Sequence, residues 1–213
     1  MIVGTGGKAM PMYDTSGQPR GFDIDLANEI AKHLGKTGVT FQSDGSPRRQ
    51  ARKSQVDMAL AAISITPKRE QEQTFSVPYL TSRFMIAASQ RSASRVSSRN
   101  LRGLRCAVSK RHTLYKTELS KTGCQQVQAR SNKDAMSMVQ RGEAEVTIID
   151  ETFAPALASK YNLVITDVYT AEDRYGVAMS KGNLTLKRAV DKAIQAMQSD
   201  GTMAKLRSRY GLR

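Results

Sequence analysis

Tryptophan is absent from this 213-residue chain, cysteine and histidine occur only twice each, and aromatic residues make up just 6% of it. His33, His112, Cys106 and Cys124 show none of the paired ligand spacing that metal sites use, so neither a metal nor any other cofactor is expected. Long apolar runs are missing as well. The longest, such as residues 58–63 and 146–149, fall far short of the roughly 18 consecutive residues a bilayer span needs, so no membrane-crossing helix is expected. Acids are scarce relative to bases: 33 Lys and Arg against 19 Asp and Glu leave a net charge of +14. Such an excess is the electrostatic footprint of nucleic-acid binders, yet it is spread along the chain. The stretch 91–111 holds seven bases and no acid, but no aromatic side chain that could stack on a base. A solvated basic surface is the better reading, no nucleic-acid partner is expected, and attraction to an anionic membrane surface or an acidic partner is secondary.

What the chain does have is the ordinary apolar content of a globular protein, so a real core follows. Strand-like and helix-like runs alternate in the way that builds sheets covered by helices, which gives an α/β class. Residues 1–5, 39–42, 57–62, 106–108, 127–129, 146–149, 163–166 and 176–179 read as strands. Ile24, Ala27, Ile30, Ala31 and Leu34 mark one helical face that Gly35 closes. Thr66-Pro67 has the capping hydroxyl and first-turn proline of a helix start. Further helices are predicted over 113–121, over 131–140 with Ser131 and Asp134 at capping-box spacing, and over 184–198. Because residue 1 leads straight into a strand-like run, any secretory signal is expected to have been removed or never to have existed.

Nucleotide motifs fail on context. Gly4-Thr5-Gly6-Gly7-Lys8-Ala9 fits GxGxxA after a strand, but Pro11 falls inside the helix that would have to follow, and no acid ends the second strand near Gln42. The stretch that carries chemistry is Ser64-Ile65-Thr66-Pro67-Lys68-Arg69. Two hydroxyls on alternate residues leave an apolar strand on one face, helix-start amides follow, and an arginine projects from the first turn. Together these make a carboxylate receptor, with the arginine fork giving two charge-assisted bonds. The plainer alternative is that Thr66 only caps and Arg69 only pairs with a surface acid such as Glu72.

From these residues the chain resembles a known family, the type 2 periplasmic amino-acid-binding proteins of ABC importers. The matching stretches are Val3-Gly4-Thr5, Gly21-Phe22-Asp23-Ile24-Asp25-Leu26-Ala27, Ile63-Ser64-Ile65-Thr66-Pro67-Lys68-Arg69, Phe75-Ser76-Val77-Pro78-Tyr79, Leu101-Arg102-Gly103, Ile149-Asp150, Tyr175-Gly176-Val177-Ala178 and Asp200-Gly201. The resemblance implies a two-lobed clamshell, each lobe a sheet flanked by helices, joined by two crossover strands and closing on the ligand. Lobe one is expected to span 1–82 and 175–213, and lobe two 83–174, with the strand-like runs 83–88 and 175–179 as crossover candidates. It implies that Ser64 and Arg69 are first-lobe carboxylate ligands with Thr66 a lesser addition, Thr113 the second-lobe carboxylate ligand, and Asp150 the anion for the α-ammonium. The simpler role for Asp150 is a cap on the segment that starts at Glu151. The implied partners are an amino acid and the permease subunits of an ABC transporter; the protein is expected to be a monomer, periplasmic or extracellular, and membrane-associated if a lipoprotein.

Several positions depart from the family's pattern. Arg111-His112-Thr113 stands where the family has Gly-Thr-Thr, so the glycine that lets backbone approach the carboxylate is missing. The ligand-stacking aromatic aligns with Ala9 and the acid that reads a basic ligand side chain aligns with Gly6, which favours a polar or neutral amino acid; Met10, Met12 and Tyr13 are candidates to line the pocket. The basic cluster Arg48, Arg49, Arg52 and Lys53 has no account at this level. A cyclohexadienyl dehydratase type of enzyme shares the resemblance, with Glu151 and His112 as the available acids, and so does the ectodomain of a signalling receptor, against which the end at Arg213 without a linker counts. Cys106 and Cys124 flank one predicted helix and are either a disulfide or two reduced thiols.

Overall fold

The structure is a computed structural model that describes residues 1–110 and 112–212, without the side chains of Thr113 and Thr170. The chain folds as two compact units, Met1–Thr81 with Arg174–Arg213, and Ser82–Asp173. It therefore passes from one unit to the other twice, inside the strands Leu80–Ser89 and Leu163–Tyr175.

In the first unit a five-stranded sheet runs in the order Thr40–Gln42, Ile2–Gly4, Met58–Ala59, Ala178–Met179, Thr74–Phe75. The first three strands are parallel, with Val3 set between Phe41 and Met58, and Ala178–Met179 runs antiparallel to both its neighbours, Met58–Ala59 and Thr74–Phe75. Helix Phe22–His33 buries Phe22, Leu26 and Ile30, the i, i+4 stripe of an amphipathic helix. Asp25 in its first turn and Lys32 in its last oppose the helix dipole at both ends. Gly21 must precede it: its φ is 123°, and a Cβ there would meet the Met12 carbonyl oxygen at 2.5 Å. Helix Leu184–Ser199 adds Val190, Ile194 and Met197 to the core of this unit.

In the second unit the order is Leu163–Tyr175, Leu80–Ser89, Val146–Asp150, Arg105–Ser109, Gln125–Ala129. Strand Val146–Asp150 is the central one and every residue of it is buried, as a strand covered on both faces must be. One face packs Phe84, Ile86, Val108, Tyr115, Leu119 and Ile148; the other packs Ala87, Ala107, Met136, Val139 and Ile149. Helix Thr113–Ser120 lies over the first cluster and helix Asn132–Gln140 over the second. The mixed α/β class in two sheet-and-helix domains is what the sequence predicts. The glycine motif at 4–9 opens no helix; Lys8–Ala9 instead turns back on Tyr13–Asp14 as a short antiparallel pair.

Candidate ligand-binding site

In the first unit the polypeptide leaves strand Met58–Ala59 and turns at Ala62, held at φ 47° by a hydrogen bond of its N–H to Asp23 Oδ2 at 2.7 Å. Asp23 is fully buried, and burial pushes its carboxyl up to about 7 against the opposing pull of the Ala62 N–H and Tyr79. Beyond the turn, Ile63, Ser64 and Ile65 run antiparallel to residues 174–176: Ser64 bridges Tyr175, the Ile65 N–H donates to the Arg174 carbonyl at 2.7 Å and the Gly176 N–H to the Ile63 carbonyl at 3.0 Å. Gly176 lies close under Ile65 here: a Cβ would stand 2.7 Å from Ile65 Cδ1, so that side chain would have to shift.

Thr66 then ends the extended run and caps helix Pro67–Glu72, its hydroxyl accepting the Arg69 N–H at 3.3 Å. The Arg69 side chain folds back so that Nη1 donates to the Ser64 carbonyl at 2.7 Å. Ser64, Thr66 and Arg69 are thus brought together around one helix start. Glu72, the surface acid that offered Arg69 a plainer partner, is held by Arg48 Nη1 at 2.9 Å and Arg52 Nη1 at 3.1 Å. Those two guanidiniums hold its carboxyl below the usual range, and Arg48 also reaches Gln73 Oε1 at 3.0 Å. The basic helix Pro47–Arg52 thereby gains a role: it clamps the short helix from which Arg69 projects.

In the second unit Asp150 ends its strand buried, and Oδ1 accepts two donors, the Ser82 hydroxyl at 2.7 Å and the Thr152 N–H at 2.8 Å. Thr152 Oγ1 closes the loop by donating to Ser82 Oγ at 3.1 Å. Helix Ala154–Lys160 begins only after Phe153, so Asp150 shapes the turn before the helix and is not its cap. Tyr115 lies buried close by, its phenol pushed well up by burial and then by the charges of Asp150 and Asp173. Its ring stacks on His112 at 3.6 Å between centroids and meets Phe84 edge-on at 5.1 Å. His112 caps helix Thr113–Ser120, Nδ1 accepting the Tyr115 N–H at 3.4 Å. Thr113 opens that helix, but its side chain lies outside the described residues, as does Arg111.

Sequence reasoning did not pick out Ser82 or Tyr115. A signal for Ser82 exists: it sits in phase with the buried Leu80, Phe84 and Ile86 of its strand, a polar residue at a core position. Of the residues considered for the pocket wall, Met12 is fully buried, Met10 is exposed, and the Tyr13 ring covers Gly6 so closely that a Cβ there would lie 2.2 Å from Cε2. Burial, with Asp23 nearby, pushes the Tyr13 phenol up to about 12. Glu151, an acid an enzyme reading would use, is instead gripped by Arg83 through both oxygens, at 2.6 and 3.0 Å. Among the described residues no helix is long and apolar enough to cross a membrane.

Comparison with known proteins bears on the family and the fold. The family model of the bacterial extracellular solute-binding proteins, family 3, matches residues 1–213. The amino-acid-binding protein AabA of Dichelobacter nodosus is 27% identical over 205 residues, 92% of this chain and 81% of that protein. The L-cystine-binding protein TcyJ of Escherichia coli (strain K12) is 26% identical over 219 residues, 99% of this chain and 82% of that protein. The crystal structure of the ancestral amino acid-binding protein AncCDT-1, a precursor of cyclohexadienyl dehydratase, superposes with a TM-score of 0.80 at 27% identity, covering 99% of this chain and 94% of that one.

Proposed function

The chain belongs to the bacterial extracellular solute-binding proteins, family 3, and we propose that it captures a free amino acid, polar or neutral, for ABC-type import. The observation that carries this reading is the gathering of Ser64, Thr66 and Arg69 at one helix start, with Arg69 steadied by the Ser64 carbonyl. A guanidinium, two hydroxyls and first-turn amides are the donors an α-carboxylate accepts from. Asp150, set in place by Ser82 and Thr152, takes the α-ammonium. Thr113 is assigned to the carboxylate as well. In this reading residues 1–82 with 175–213 are one lobe and 83–174 the other. The protein works outside the cytoplasm, as a monomer that hands its ligand to permease subunits, at a membrane surface if it carries a lipid anchor. It is a binder and not an enzyme: of the two acids a dehydratase would draw on, Glu151 is committed to Arg83 and His112 to its capping bond and the Tyr115 ring.

Thermal-shift screening against the twenty amino acids and related amino and keto acids tests the proposal. A ligand that binds the native state alone raises stability by about 2.7 kcal/mol at a hundredfold excess over its dissociation constant. Stabilisation by a neutral amino acid that is recovered unchanged supports it. Consumption of the ligand would favour the dehydratase-like enzyme, and stabilisation by keto acids alone would remove Asp150 from its role.

A further inference from the structure

Cys106 and Cys124 are both free, the first buried and the second partly so. Strands Arg105–Ser109 and Gln125–Ala129 are parallel neighbours in which Cys106 pairs with Gln126. Cys124 lies two residues before Gln126, so both side chains leave the sheet on the same face. That face is covered by helix Thr113–Ser120, and the two sulfurs share one apolar cluster with Leu101, Tyr115 and Leu119. Each thiol is steadied by a backbone carbonyl, Cys106 Sγ donating to Leu104 at 3.8 Å and Cys124 Sγ to Leu119 at 3.6 Å.

From this placement we infer that Cys106 and Cys124 are a reactive dithiol that a small-molecule disulfide, such as oxidised glutathione, closes into an intramolecular disulfide across the base of helix Thr113–Ser120. Roles divide between the sulfurs. Cys124, drawn down by the neighbouring Cys106 and partly exposed, is the sulfur an oxidant reaches first. The neighbouring Cys124 and burial push the Cys106 thiol up, and this buried sulfur is the one that resolves. Cys124 thiolate attacks one sulfur of the oxidant's disulfide, forming a mixed disulfide and expelling the other sulfur as a thiolate. Cys106 then gives up its proton and attacks Cys124 Sγ, forming the internal bond and expelling the second thiolate. Two protein thiols are oxidised, one external disulfide is reduced to two thiols, and the two protons pass to them.

The test is to incubate the native protein with oxidised glutathione, then denature it, alkylate with a maleimide and weigh it. The wild type is expected to lose 2 Da (about two protons' mass, one for each thiol oxidised) and to take up no maleimide. Its melting temperature is expected to rise by about 5–10 °C, as for closure of a loop of this length, and to return with dithiothreitol. Cys106→Ser is expected to stop at a single glutathione adduct on Cys124, and Cys124→Ser to stay reduced. Two alkylated thiols in oxidised wild type, two glutathione adducts, or a disulfide-linked dimer would each overturn the inference, and none of those readouts depends on a variant folding.

Discussion

The Ser82 hydroxyl and the Asp150 carboxylate meet at 2.7 Å inside the second unit, although 68 residues separate them in sequence. The bond aims one carboxylate oxygen inward and, with the Thr152 N–H on the same oxygen, fixes the rotamer of the side chain. A group assigned to an ammonium needs such fixing, because a mobile carboxylate loses part of its binding energy to ordering. Asp150→Asn keeps the shape and an acceptor oxygen but removes the charge. It is expected to weaken α-amino ligands by roughly 2–5 kcal/mol while leaving their deaminated analogues within a few tenths, read by calorimetric titration of both. Ser82→Ala is expected to lower stability by about 1.5–3 kcal/mol, the worth of a hydrogen bond to a buried charge. Equal losses for both ligand types in Asp150→Asn would return Asp150 to a purely structural role.

Stability should fall as the pH rises towards neutrality, on account of Asp23. Its carboxyl is pushed up to about 7 in the folded protein and returns to the ordinary carboxylate range, near 4, when unfolded. Between those values the folded state holds the proton and the unfolded state does not. Stability therefore declines with rising pH by up to about 1.4 kcal/mol per unit, and the decline ends once both states are ionised. Asp23→Asn retains an acceptor for the Ala62 N–H and removes the titration, so urea midpoints at pH 5 and pH 7.5 should differ less than in the wild type. An unchanged difference would assign the pH dependence to another group.

Gly6 and Tyr13 should be energetically coupled. A methyl group on Gly6 would lie 2.2 Å from the Tyr13 ring, a distance no pair of carbon atoms tolerates, so the ring must move out of its half-buried place. Gly6→Ala is expected to cost about 1–3 kcal/mol, as overpacking does. In Tyr13→Ala, where the ring is already gone, the same change should cost little. A double-mutant cycle reads the interaction directly, and additive effects would show that the ring is not what Gly6 accommodates.

Much of the fold was legible in the sequence wherever one element's own residues settle its place. Helix Phe22–His33 and strand Val146–Asp150 follow from their apolar positions alone. What was hidden depends on distant partners. Strand Leu163–Tyr175 extends well beyond the apolar start that announces it, and within it Asp167 is satisfied by the N–H and hydroxyl of the distant Ser98. Helix Pro47–Arg52 reads as an unexplained basic run until Glu72, 20 residues beyond Arg52 and 24 beyond Arg48, accepts from both arginines. In the site, Ser64, Thr66 and Arg69 were visible because they form one local motif around a helix start, whereas the polar residue Ser82 at a core position of its strand gains its meaning from Asp150, 68 residues away.

The sharpest prediction falls on Arg69, because two different losses separate its function from its packing. Nη1 donates to the Ser64 carbonyl, so the side chain is held at the helix start before any ligand arrives, and the ordering cost of a long side chain is already met in the folded protein. Removing it deletes a charge-assisted donor pair and leaves the ligand carboxylate without its counter-charge, a loss on the order of 3–5 kcal/mol in binding. Stability should suffer far less. The helix keeps its Thr66 cap and its clamp through Glu72, and a single hydrogen bond to a carbonyl is worth about 1 kcal/mol. Arg69→Lys is the sharper variant: it retains the charge but loses the planar fork, so binding should fall between wild type and Arg69→Ala. Calorimetric titration of the ligand found by screening, set beside urea unfolding of the same three proteins, separates the two effects. If Arg69→Ala binds as tightly as the wild type, the carboxylate is held elsewhere and the amino-acid assignment of this helix start fails.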